Sequence, residues 1–178
     1  MRARVEALIA RFTSSAWQIQ NDESRNFLTN EHASDRFLSD SGNIMDSIER
    51  SISVAVPITR AFEPWLNVEE WPRFLKAIRE ARRIDEKTFR LLVERGGQTE
   101  ESVAEISLVI PERRIAWRNI SGAVSSGVVC FESLPDGQTQ VKLKMQYRPD
   151  AGWHHPDALA ERLEYHLACF KEFIDGSP

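Results

Sequence analysis

The 178-residue sequence has few cysteines and no long run of apolar residues, and both shortages narrow the classes of protein to which it can belong. Its two cysteines, Cys130 and Cys169, are too few for a disulfide framework and too far apart for a zinc-type motif. No stretch approaches the roughly 18 consecutive apolar residues of a membrane-spanning helix. We therefore expect no integral membrane segment and a cytoplasmic location, where thiols stay reduced.

The sequence also lacks a basic excess and the short motifs of common cofactor sites. A formal net charge of −4 argues against non-specific binding to nucleic acid or to anionic membranes. There is no glycine-rich phosphate loop, nucleophile elbow or Cys/His zinc spacing. The adjacent His154 and His155 have no carboxylate pattern near them and form a poor ligand set. We expect no nucleic-acid partner, no metal and no cofactor.

The clearest pattern that is present lies at the C-terminal end, over residues 156–175. Apolar residues at helical spacing share one face of roughly 120°, and mostly charged residues occupy the opposite face. Pro156 suits the first turn of a helix, and Gly176 suits the position after its last turn. The pattern predicts one long amphipathic helix that needs a broad apolar surface to cover Leu159, Leu163, Leu167, Phe170, Phe173 and Ile174.

The first 46 residues differ from the rest of the chain. Helical spacing predicts an amphipathic helix over residues 2–20, and the following segment, rich in Ser, Asn and Asp, is typical of a linker with room for one short helix. We expect the helix to dock on the domain or on a second copy of the chain, as a homodimer. A membrane-surface helix is the alternative, but the polar face lacks a strong basic bias. The main domain is predicted to cover residues 47–178.

Alternation with period two begins at Ile48 and predicts a series of strands. The first strand ends at Pro57, and two small helices follow, one capped near Thr59 and one opening at Trp71-Pro72. The connections between the later strands are so short that neighbours must be antiparallel. The fold class is therefore α+β, with a curved sheet over the terminal helix. Six further strands are predicted at residues 77–85, 88–95, 99–110, 113–120, 124–134 and 139–148.

Each predicted strand has one apolar face, and alternation assigns the residues that point toward the terminal helix. The last strand is the clearest, because polar residues occupy every second position from Lys142 to Arg148. The residues expected to point inward are Phe89, Leu91, Val93, Ala104, Ile106, Leu108, Ile110, Ile115, Trp117, Asn119, Gly127, Val129, Phe131, Val141, Leu143, Met145 and Tyr147.

Several short sequence motifs follow one another in a characteristic order through residues 47–175. They are Val56-Pro57-Ile58, Trp71-Pro72-Arg73-Phe74, the segment 110–118, the segment 127–132, Thr139-Gln140-Val141 and Tyr147-Arg148-Pro149. Together they resemble the polyketide cyclase/dehydrase branch of the START-like (SRPBCC) superfamily. The resemblance implies a helix-grip fold, in which a seven-stranded antiparallel sheet grips the C-terminal helix around a hydrophobic cavity. Pro64 departs from the pattern, since a proline inside the first small helix is expected to kink or end it.

Candidate ligand-binding residues are those that the pattern turns toward the space between sheet and helix. His166 falls within the apolar stripe of the terminal helix. It is either a proton donor or acceptor facing a ligand, or a histidine hydrogen-bonded to backbone or water. Asn119 and Tyr147 lie on inward registers near strand ends and can orient a carbonyl or hydroxyl group. The apolar candidates are Leu91, Trp117, Met145 and Leu163.

Three functions fit this plan, and the resemblance does not choose among them because one fold hosts many functions. The first is binding of a hydrophobic small molecule, such as a lipid, quinone or polyketide-like compound, in the cavity. The second is a cyclase-, aromatase- or dehydratase-type enzyme acting on a polyketide-like substrate, with His166 or Tyr147 as the acid/base group. The third is a protein-interaction module with an incidental cavity. We favour the first.

Overall fold

The computed structural model describes residues 36–38, 44–95, 97–121, 124–147 and 156–176 of the chain. These residues form an α+β fold in which one antiparallel sheet wraps around the last helix. The strands are β1 (Arg36–Leu38), β2 (Ile44–Val54), β3 (Ile78–Arg83), β4 (Thr88–Arg95), β5 (Gln98–Ile110), β6 (Arg114–Asn119), β7 (Val124–Ser133) and β8 (Thr139–Tyr147). The helices are α1 (Ile58–Leu66), α2 (Trp71–Phe74) and α3 (Pro156–Asp175), and a 3-10 turn, Val68–Glu70, joins α1 to α2.

The sheet has the strand order β1-β2-β8-β7-β6-β5-β4-β3, and neighbouring strands are antiparallel. β3 to β8 follow one another as a meander, and β8 then pairs with β2, from Asp46↔Tyr147 to Val54↔Thr139. The seven strands and two small helices of the expected helix-grip fold are confirmed. β2 begins at Ile44, earlier than the predicted start at Ile48.

One additional strand, β1, lies at the edge of the sheet, within the segment that was expected to be a linker. It pairs with the start of β2, from Arg36↔Asp46 to Leu38↔Ile44. The pattern analysis missed β1 because three residues are too few to display an alternation. The helix predicted over residues 2–20, and the homodimer expected through it, lie outside the described residues.

The inward faces of most strands follow the predicted alternation, and β5 departs from it. Ala104 and Ile106 are buried as expected, but Val109 is the next core residue instead of Leu108 and Ile110. The pairing of β5 with β6 shifts by one residue between Ile106 and Leu108, so the strand contains a β-bulge. An extra residue reverses the alternation after it. Because residues 108–110 are all apolar, the pattern could not reveal the reversal.

Helix α3 has the predicted bounds and lies on the concave face of the sheet. Three polar contacts join it to β2 and the residue after it: Arg50 Nε donates to Glu164 Oε1 (2.6 Å), Lys171 Nζ to the Ser53 carbonyl (2.9 Å), and the Ala55 amide to Asp175 Oδ1 (2.9 Å). Exposed contacts of this kind each contribute little, so burial of the apolar face is the main stabilisation. The buried residues of α3 are Leu159, Ala160, Leu163, His166, Leu167, Phe170 and Ile174.

An aromatic cluster fills the space between the small helices and the C-terminal half of α3. The Trp65 ring lies 5.1 Å from Phe74 and 5.4 Å from Phe170, centroid to centroid, and Trp71 Nε1 donates to the Trp65 carbonyl at 3.1 Å. Pro64 does not end α1, which continues to Leu66. Pro64 is itself buried, so packing compensates for the backbone hydrogen bond that a proline cannot donate.

The Thr139 hydroxyl generates a first prediction, because it is fully buried and donates to the Val56 carbonyl at 2.8 Å, where β2 leads into α1. Thr139→Val keeps the shape of the side chain but leaves that carbonyl without its partner. We expect the free energy of unfolding to fall by about 1–3 kcal/mol, measured by urea denaturation. Thr99→Val, the same change at an exposed position of β5, should alter it by no more than about 0.5 kcal/mol. Equal losses in both variants would contradict a role for the hydroxyl.

Candidate functional site

A cavity of about 120 Å³ lies between the N-terminal half of α3 and the concave face of the sheet. Its walls come from the connection between α2 and β3, from strands β4, β5, β6 and β8, and from α3. Most of the lining residues are apolar, and the polar ones lie on β5, on β6 and on α3. The lining residues are Trp71, Leu75, Ala77, Ile78, Leu91, Val93, Glu100, Glu101, Ser102, Trp117, Asn119, Leu143, Met145, Leu159, Arg162, Leu163 and His166.

The position of the cavity follows from the different side chains that the two halves of α3 carry on their buried face. Its C-terminal half carries Phe170, which packs 5.1 Å from Phe74 and closes that end of the sheet. Its N-terminal half carries the smaller Leu159 and Leu163, which line the cavity. The cavity therefore lies where the buried face of the helix carries leucines in place of phenylalanines.

The indole of Trp117 forms a wall of the cavity because a glycine faces it. Trp117 on β6 pairs with Gly127 on β7, which pairs in turn with Met145 on β8. A Cβ atom at Gly127 would overlap the six-membered ring of Trp117 and lie 2.8 Å from Met145 Sδ. Absence of that atom lets the indole lie flat against the sheet, with its ring 5.1 Å from that of Trp71.

His166 is the buried polar side chain of the α3 face that contacts the cavity, with only 8% of its surface exposed. No described residue offers its Nδ1 atom a hydrogen bond. Burial lowers the pKa of His166 from 6.5 to about 4, and the positive charge of Arg162 one turn earlier adds to the shift. The imidazole is therefore neutral at pH 7, with one nitrogen carrying a proton and the other carrying a lone pair.

Charged and hydrogen-bonded groups lie toward the start of β5. Glu100 and Glu101 are exposed, and Glu101 Oε2 lies 3.5 Å from Arg90 Nη1 on the outer face of the sheet. Ser102 is buried but satisfied, because its hydroxyl donates to the Ser121 carbonyl at 2.9 Å. The half-buried Asn119 also lines the cavity. His166 and Asn119 are thus the uncharged polar groups of the wall that can meet a ligand, and the half-buried Arg162 lines the cavity beside them.

The structure brings together most of the residues that the pattern analysis selected. His166, Asn119, Trp117, Leu91, Met145 and Leu163 all line the cavity. Tyr147 does not: it is 3% exposed and packs in the core, where burial and then the charge of Asp46 raise its pKa. It pairs with Asp46 and Val124, beyond the end of the cavity wall that Met145 forms.

Leu75, Ala77 and Ile78 also line the cavity and were not among the predicted site residues. Ala77 and Ile78 fall in the predicted strand 77–85, but the register of β3 shifts between Ile78 and Glu80, so a simple alternation could not show which of its side chains point inward. Val93, Leu143 and Leu159 were assigned to inward faces and reach the cavity as that assignment implies.

Within the described residues, no group of three or more His, Cys, Asp or Glu side chains is arranged to hold a metal ion. Cys130 and Cys169 are both free thiols. None of the helices described is long and apolar enough to cross a membrane.

The lowered pKa of His166 predicts a pH-dependent stability. The unfolded chain takes up a proton near pH 6.5 and the folded chain only near pH 4, so the unfolded state binds more protons between these values. The free energy of unfolding should therefore fall as the pH drops through this window. From pH 7 to pH 4 the wild type should lose about 2–3 kcal/mol more than His166→Gln, measured by urea denaturation. Parallel pH profiles for the two proteins would show that the imidazole is solvated.

The contact between Trp117 and Gly127 predicts that a side chain at position 127 disrupts the cavity wall. Gly127→Val should lower the free energy of unfolding by about 1–3 kcal/mol and displace the indole. Denaturation and tryptophan emission measure the two effects. Ser133→Val, at an exposed position near the end of the same strand, is the control and should change neither. Unaltered stability and emission in Gly127→Val would contradict the close approach.

Comparisons with known proteins agree with this architecture. Residues 54–168, more than half of the chain, match the family described as polyketide cyclase/dehydrase and lipid transport. An uncharacterized 17.2 kDa protein of Streptomyces lincolnensis is 36% identical over 136 residues, which cover 74% of this chain and 84% of that protein.

Two solved structures show the same fold. A START superfamily protein of Mycobacterium smegmatis aligns with a TM-score of 0.63 at 14% identity, over 73% of this chain and 97% of that one. The Zhui aromatase/cyclase of Streptomyces sp. R1128 aligns with a TM-score of 0.60 at 22% identity, over 74% and 94% of the two chains. The match over residues 54–168 establishes that the chain belongs to the polyketide cyclase/dehydrase and lipid transport family, and the two solved structures show that it has the same fold as they do.

Proposed function

We propose that this protein binds a hydrophobic small molecule in the cavity between α3 and the sheet. The observation that carries the proposal is the cavity itself: about 120 Å³ of space, lined mainly by apolar side chains, with a buried His166 that no described residue satisfies at Nδ1. Apolar walls with a few placed polar groups are typical of small-molecule sites. The family description, which names both polyketide cyclase/dehydrase and lipid transport, supports a ligand of low polarity.

The ligand contacts are proposed to divide into apolar and polar groups. Leu91, Trp117, Met145 and Leu163 cover the apolar body of the ligand. Each Å² of apolar ligand surface removed from water contributes about 25 cal/mol, so these walls supply most of the affinity. Asn119 and His166 orient the polar part. Within this proposal, the ligand is a lipid, a quinone or a polyketide-like compound.

A second candidate function is a cyclase- or dehydratase-type enzyme, favoured by the neutral imidazole at the wall of a largely apolar site. A general base is most effective when its pKa lies near the working pH. The pKa of His166, about 4, lies well below neutral pH, so its imidazole is a weak base. This position favours binding over proton abstraction as the role of His166.

The remaining proposals concern location and assembly. The two free thiols, Cys130 and Cys169, support the cytoplasm as the proposed location, since thiols persist in a reducing compartment. A homodimer through the N-terminal helix also stays a proposal, as does the protein-interaction module.

Filling the cavity tests the binding proposal. We expect toluene, a purely apolar ring, to bind the wild type with a dissociation constant of about 1 mM or lower and to raise its melting temperature. Leu163→Trp places an indole in the cavity and should abolish this shift while the protein stays folded. Titration followed by two-dimensional NMR locates the binding site in each protein.

Tyr165→Trp is the matched control, because residue 165 lies on the exposed face of the same helix and an indole there stays outside the cavity. This variant should bind toluene as the wild type does. Absence of any toluene-induced shift in residues of the cavity wall would refute the proposed function.

A further inference from the structure

The cavity is small compared with the lipid or polyketide-like ligands expected for a helix-grip fold. An engineered apolar cavity of about 150 Å³ holds one benzene molecule. The cavity of this protein, at about 120 Å³, therefore has room for about one ring, and a long acyl chain or several fused rings would have to extend past the exposed Glu100 and Glu101. The space cannot extend toward the C-terminal end of α3, because Trp65, Phe74 and Phe170 fill it with ring centroids 5.1–5.4 Å apart.

The two ring nitrogens of His166 have different surroundings. Nδ1 is enclosed, and none of the described residues donates to it or accepts from it. An enclosed N–H without a partner is rarer in proteins, and so costlier, than an enclosed lone pair. The proton of the neutral imidazole therefore belongs on Nε2. His166 lines the cavity and Nδ1 is enclosed, so Nε2–H is the donor that the ring can offer to a bound molecule.

A carbonyl oxygen is the ligand group that a single N–H satisfies. A hydroxyl group brings a donor of its own, which needs a second partner in a largely apolar site. A carboxylate is disfavoured because burying its charge against mainly apolar walls is costly. Among the described lining residues on the inward faces, Glu100 offsets the positive charge of Arg162, so no net positive charge compensates that cost.

We propose that the cavity takes an uncharged, single-ring carbonyl compound whose oxygen accepts a hydrogen bond from Nε2–H of His166. This inference rests on the proposed function, because it requires that the cavity bind a ligand at all. It goes further in naming the size of the ligand, its charge and the polar atom that His166 recognises.

The test compares two probes of the same shape, acetophenone and α-methylstyrene, which differ in a carbonyl oxygen against a methylene group. We expect the wild type to bind acetophenone about five- to ten-fold more tightly, measured by NMR titration or calorimetry, since one hydrogen bond is gained. His166→Phe keeps a ring of similar size without a donor. It should lose the preference and bind acetophenone no more tightly than α-methylstyrene, because the carbonyl oxygen is then buried without a donor. His166→Gln, which restores an N–H, should recover part of the preference.

Nitrogen-15 NMR of the His166 ring gives a readout that does not depend on mutation. Nδ1 is expected to resonate as an unprotonated nitrogen and Nε2 as a protonated one, and only acetophenone should shift the Nε2–H signal. A proton found on Nδ1 at neutral pH would overturn the assigned hydrogen bond.

The outcomes separate this inference from the proposed function on which it rests. Equal affinity of the wild type for the two probes overturns the inference and leaves the cavity as a binding site. Preferential binding of benzoate over acetophenone would contradict the proposed absence of charge, and preferential binding of palmitate would contradict the proposed size. Either result overturns the inference and leaves the cavity as a binding site. Failure of toluene and of both probes to contact the cavity wall refutes the proposed function and the inference together.

Discussion

Burial of one face of α3 is the interaction on which the rest of the structure depends. The helix has an apolar stripe along its whole length, from Leu159 to Ile174. Within the described residues the other helices, α1 and α2, are only 9 and 4 residues long and cannot cover that stripe by themselves. The sheet curves to cover the helix. The last strand, β8, pairs with β2, so strands from the beginning and the end of the domain lie side by side next to the helix. Polar contacts from Arg50 and Lys171 set the position of the helix along β2, but they lie near the surface and contribute little to the stability.

The cavity is a consequence of unequal packing along the same helix. Where α3 carries Phe170, the aromatic residues of α1 and α2 reach it and leave no space. Where it carries Leu159 and Leu163, the opposing wall is the indole of Trp117, which lies flat because Gly127 has no side chain. The size of the site is therefore set by side chains from α3, from the small helices and from several strands of the sheet.

The chemistry of the site follows from a single polar residue in an apolar stripe. Burial of His166 costs free energy, which is expressed in its pKa of about 4, and the enclosed Nδ1 gains no compensating bond from the described residues. A site that retains such a residue is suited to recognising a polar atom of a ligand. The same low pKa makes the imidazole a weak base at neutral pH. It therefore favours a role for His166 in ligand recognition over a role in acid/base catalysis.

Local periodicity was enough to predict α3 with its bounds, the meander and the inward faces of β4, β6 and β8, because each depends on residues close together in the chain. The inward assignments also placed Leu91, Trp117, Asn119, Met145, Leu163 and His166 toward one space. Other features depend on distant contacts: the bulge in β5 is defined by its pairing with β6, and β1 exists through its pairing with β2. Tyr147 has the same register as Met145 yet lies outside the cavity, because the size and ends of a cavity are set by which side chains meet across the fold. The spacing of residues along a strand determines which face of the sheet a side chain lies on. The packing between elements determines whether a cavity remains next to that side chain.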